Sequence, residues 1–98
     1  MQEIKGIIIE SDSPLTLEEL VNALQVEPDF IIELVEYQLI APQGQSKQEW
    51  HFDSEALRKA RLARNFYHDL EINMPGISLA LELLDRIEKL ENELKKRS

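Results

Sequence analysis

Leu17, Leu20, Val21 and Leu24 recur three and four residues apart, and Pro28 opens a second apolar pattern almost at once. Few folds accept two short amphipathic helices joined so tightly. The first helix has its own start signal. Ser11, Asp12, Ser13 and Pro14 interrupt what precedes it, and Thr16-Leu17-Glu18-Glu19 matches a capping box, in which a threonine hydroxyl and a glutamate three residues on satisfy free backbone donors. Gln25-Val26-Glu27-Pro28 reads as the turn, because proline suits the first turn of a helix and disfavours helix in the residue before it. The second helix is expected from Pro28 to about Gln38, with Ile31, Ile32, Leu34 and Val35 inward and Asp29, Glu33 and Glu36 sharing the opposite face. Residues 15–38 therefore form a helix-turn-helix, whose second helix ordinarily enters a DNA groove.

The flanking segments complete a small, mainly helical domain. Ile4 to Glu10, with Ile7-Ile8-Ile9, is β-branched and short, so residues 1–14 are expected to be a strand and a loop. Residues 39–53 are expected to be a β wing: Leu39-Ile40-Ala41-Pro42 and Glu49-Trp50-His51-Phe52 pair around the polar tip Gln43 to Gln48. A third helix over 54–72, capped by Asp53 or Ser54, is expected to turn Leu57, Ala60, Ala63, Tyr67 and Leu70 inward. Asn73-Met74-Pro75-Gly76 makes a corner, and a long helix over 75–97 follows. Ala80, Leu83, Ile87, Leu90 and Leu94 repeat along it at coiled-coil spacing, while Ile77, Leu81 and Leu84 form a second stripe near its start. One stripe can pack on the domain and the other on a second copy, so a homodimer is expected through Ala80, Leu83, Ile87, Leu90 and Leu94.

Charge is divided along the chain. Residues 1–57 set twelve carboxylates against Lys5 and Lys47, a formal −10, whereas residues 58–98 carry nine bases and seven carboxylates, for a total of −8. The acidic part contains the helix-turn-helix. DNA affinity depends on lysines and arginines that neutralise phosphates, so a reading surface of this sign repels DNA and attracts a basic partner. Glu18, Glu19, Asp29, Glu33 and Glu36 are the candidate partner-binding residues. The basic run Arg58, Lys59, Arg61, Arg64 and the Lys95-Lys96-Arg97 end read first as a solvated face and as cations favoured at a helix C-terminus.

Other chemistries lack a signal. His51 and His68 are the only histidines and there is no cysteine, so neither a metal site nor a disulfide is expected. No glycine-rich phosphate loop, nucleophile elbow or acid–base pair stands out, which argues for no catalysis and no cofactor. No apolar run approaches the roughly 20 residues of a membrane span, and no signal peptide is visible at the N-terminus, so the expected setting is the cytoplasm.

The order of these elements resembles the MerR superfamily, and within it the chaperone modulator family CbpM. Leu39-Ile40-Ala41-Pro42, Trp50-His51-Phe52-Asp53 and the run Pro75 to Leu84 leading into Ile87 and Leu90 carry the likeness, which spans about residues 15–95. The resemblance implies a MerR-like winged helix-turn-helix with a C-terminal dimerisation helix. It also implies a regulator that binds the J-domain of a DnaJ-like co-chaperone and suppresses its stimulation of an Hsp70 and its DNA binding. J-domains carry a basic surface on the helix that meets Hsp70, which an acidic partner could cover. Two alternatives stand beside it: a MerR-like DNA-binding transcriptional regulator, with Arg61 and Arg64 as phosphate contacts, and an adaptor for some other basic protein.

Overall fold

The computed structural model describes residues 13–97. The strand expected over Ile4 to Glu10 lies outside the described residues. The chain runs β1 (Leu15–Thr16), α1 (Leu17–Leu24), α2 (Pro28–Glu36), a 3-10 turn (Lys47–Glu49), β2 (His51–Phe52), α3 (Ser54–Leu70) and α4 (Met74–Arg97). This is a mainly helical fold of the winged helix-turn-helix kind.

Local chemistry sets most boundaries. The Thr16 hydroxyl accepts from the Glu19 amide at 3.1 Å and the Glu19 carboxylate accepts from the Thr16 amide at 2.9 Å, so the expected capping box forms at the start of α1. Pro28 begins α2 as its first-turn proline. The far end of α2 closes in a Schellman arrangement: the Leu39 amide donates to Leu34 and the Gln38 amide to Val35, both at 2.9 Å, with Gln38 left-handed at φ 62°. The Asp53 carboxylate accepts from the Ala56 amide and so caps α3. Asn73 does the same for α4, where its Oδ1 accepts from the Gly76 amide at 2.9 Å.

The core lies where α1, α2, α3 and the first turns of α4 meet, with Leu20, Ile31, Leu34, Phe52 and Ile77 fully buried. Burial of such a side chain contributes about 1.5–3 kcal/mol. Two expectations about inward faces change. On α2, Phe30 joins Ile31 and Leu34 in the core, while Ile32 and Val35 are half-buried. On α3 the buried stripe is Ala56, Ala60 and Ala63, and both Tyr67 and Leu70, expected inward, are exposed. The reason is size. Small alanine side chains fill the inner face of α3, and its last turn leaves Tyr67 half exposed and Leu70 mostly exposed.

The wing also differs from a simple hairpin. β2 pairs antiparallel with β1, Leu15 opposite Phe52 and Thr16 opposite His51, so the strand before α1 supplies the ladder that Leu39 to Pro42 was expected to give. What remains of the expected pairing is a single bridge, in which Gln43 and His51 exchange two backbone hydrogen bonds of 2.9 Å. Pro42 lacks an amide donor, which weakens any longer strand there. Gly44 makes the tip possible at φ 111°, where a Cβ would collide with the Glu49 carbonyl oxygen. Phe52 faces the core and Trp50 stacks edge-on against it at 6.0 Å, while Glu49 and His51 are exposed, as the alternation predicts.

Candidate functional site

α1 and α2 present five carboxylates to solvent, and the fold does not give them one role. Glu18, Glu19, Asp29, Glu33 and Glu36 are all exposed. Glu19 is committed to the capping box through the Thr16 amide, so part of its accepting capacity is used within the chain. Asp29 and Glu33, one helical turn apart on α2, line a groove of about 590 Å³ between α1, α2 and the end of α3. Glu18, Glu19 and Glu36 do not line it.

The floor of the groove is apolar, with Val21, Val26, Phe30 and Tyr67, and its rim adds Glu27, Asn22, Gln25 and His68. The Phe30 and Tyr67 rings pack at 5.4 Å and 46°, yet Tyr67 keeps 50% of its surface exposed. Sequence reasoning missed this pair because it assigned Phe30 no face and turned Tyr67 into the core. The signal was present. Phe30 sits four residues before Leu34, on the same stripe of α2, and an aromatic near the end of α3 lies within reach of it.

The basic residues of α3 are mostly occupied. Arg58 donates twice to Glu55, at 3.2 and 2.9 Å, and this hydrogen-bonded pairing holds the Glu55 carboxyl below its usual value despite partial burial. The same contact raises Arg58 above the ordinary guanidinium value. Lys59 bridges Glu55 at 3.9 Å and Asp85 at 3.7 Å, tying α3 to α4. Arg64 donates to Asn65 and is half-buried. Of Arg61 and Arg64, named for phosphate contact on the DNA-regulator alternative, only Arg61 is exposed on α3.

Of the expected dimer stripe on α4, Ala80 is half-buried and the four residues after it are exposed. Ile77 and Leu81 are buried, whereas Leu83, Ile87, Leu90 and Leu94 are 48%, 50%, 58% and 64% exposed, and Leu84 of the second stripe is 38% exposed. Every residue from Arg86 to Arg97 is exposed. Among the described residues, no group of three or more histidine, aspartate or glutamate side chains is placed to hold a metal, and no helix is long and apolar enough to cross a membrane.

The family described as MerR HTH family regulatory protein matches residues 15–97. The chain is 54% identical over 94 residues to a Coxiella burnetii (strain Dugway 5J108-111) protein named chaperone modulatory protein CbpM, covering 96% of this chain and 89% of that one. Proteins of the same name from Pseudomonas putida (strain W619) and Pseudomonas entomophila (strain L48) are each 35% identical over 79 residues, covering 81% of this chain and 78% of theirs. No solved structure matches the chain. With the MerR HTH family matching residues 15–97 and this identity over nearly its whole length, the chain belongs to the chaperone modulatory protein CbpM family of MerR-like proteins.

Proposed function

We propose that this protein is a cytoplasmic chaperone modulator that binds the J-domain of a DnaJ-like co-chaperone and inhibits its Hsp70 co-chaperone and DNA-binding activities. The observation that carries the reading is the 54% identity to proteins named for chaperone modulation. The electrostatics supply a physical reason. Glu18, Glu19, Asp29, Glu33 and Glu36 oppose the basic helix by which a J-domain meets Hsp70, and a covered helix cannot serve Hsp70 or phosphate. The protein acts by occupying a surface, and no catalytic step is required. It works as a homodimer joined through Ala80, Leu83, Ile87, Leu90 and Leu94 of α4, so two acidic faces are available per particle.

The DNA-regulator alternative finds little support in the site. The helix that would enter a groove exposes Asp29, Glu33 and Glu36 and carries no lysine or arginine.

The test is the ATPase rate of an Hsp70 stimulated by its DnaJ-like co-chaperone, measured with increasing amounts of this protein. Stimulation is expected to fall back to the unstimulated rate as the protein reaches and passes the co-chaperone concentration. Stimulation that persists at a large molar excess rejects the reading.

A further inference from the structure

We infer that the groove between α1, α2 and the end of α3 is a receptor for a basic amphipathic helix, with one lysine or arginine stem lying across Tyr67 and its charge held between Asp29 and Glu33. The identity of the protein that carries this helix rests on the proposed function, but the chemistry of the groove does not. A second cavity of about 390 Å³ adjoins the first, sharing Tyr67 and His68 and lined further by Glu71, Ile72 and Asn73. An apolar lining shared by two adjoining cavities fits the apolar side of a helix better than a single side chain. No lysine or arginine lines either cavity, whereas Glu27, Asp29, Glu33 and Glu71 do. That rim selects a helix with cationic flanks. Tyr67 is tilted against Phe30 at 5.4 Å and edge-on to His68 at 5.8 Å, yet keeps 50% of its surface exposed, which leaves ring surface for a cation to approach. Energy in such an interface concentrates on the aromatic anchor, with the carboxylates setting encounter and orientation. Glu18, Glu19 and Glu36, outside the groove, then act through longer-range attraction of the basic helix rather than by contact.

Amide chemical-shift mapping by NMR tests this, using the J-domain of the co-chaperone and, separately, a synthetic helical peptide with leucine on one face and lysine on its flanks. Both probes are expected to shift resonances around Phe30, Glu33 and Tyr67. Tyr67→Ala and Glu33→Lys should each weaken binding about tenfold or more. Glu49→Lys, the same charge change on the wing, should stay within about threefold of the parent. Circular dichroism checks that each variant keeps its helices. A J-domain that binds with its shifts elsewhere, or that is indifferent to Tyr67→Ala and Glu33→Lys, overturns the groove and leaves the proposed function standing. A peptide that binds the groove while the J-domain does not bind at all supports the groove and rejects the function. Binding of neither probe rejects both.

Discussion

Gln38 occupies a left-handed position, φ 62°, at the end of the α2 Schellman turn. An L side chain with a Cβ is strained there by about 1–2 kcal/mol and glycine is not, so Gln38→Gly is expected to raise stability by about 1 kcal/mol. Gln38→Val, β-branched, should lower it by at least as much, and urea unfolding followed by circular dichroism reads both. Single residues were legible in the sequence where their chemistry is local. Thr16 and Glu19 form their capping box whatever the rest of the chain does, and Pro28 and Asp53 start helices for the same reason. Phe30 was not legible, because α2 is nine residues long and has apolar residues at 30, 31, 32, 34 and 35. Spacing alone leaves several faces equally apolar, and the position of Tyr67 on α3 decides which one is used.

Elements show the same division between local and distant causes. The four helices follow from period and caps, but the partner of β2 does not, since Leu15–Thr16 lies thirty-odd residues away in the chain and only the packing of α1 brings it there. On α3, Ala60 and Ala63 lie inward as expected, but Tyr67 and Leu70, expected beside them, are exposed, and Ala56 is buried in addition. On α4, Ile77 and Leu81 are buried while Leu83, Ile87, Leu90 and Leu94 are exposed, and on the proposed reading a second copy covers the latter. A helix of 24 residues spans about 36 Å, and only Met74, Ile77 and Leu81 of it are buried within the protomer. Sedimentation equilibrium is expected to give a dimer for the parent and a folded monomer for the double variant Leu83→Asp and Ile87→Asp. A parent that stays monomeric at every accessible concentration, or a double variant that remains dimeric, contradicts the α4 interface. The size of the effect follows from placing two charged groups per protomer in a surface that must lose water to associate.

At the scale of the whole molecule, the formal charge is −8, and the acidic residues concentrate on the helix-turn-helix half, a sign that disfavours phosphate. The charge asymmetry and the order of elements were legible from the sequence. The groove was not, because it arises where α1, α2 and the end of α3 meet, and no local pattern records that meeting. Long-range attraction between such a surface and a basic partner weakens as salt shortens the Debye length from about 30 Å at 0.01 M to about 8 Å at 0.15 M, while an apolar anchor persists. The measurement that tests the central claim most directly is therefore calorimetric titration of this protein with the isolated, folded J-domain at low and at high salt. The account predicts saturable binding at both, weaker at high salt. Absence of binding at either salt, or binding that ignores salt altogether, contradicts an acidic face that modulates a co-chaperone.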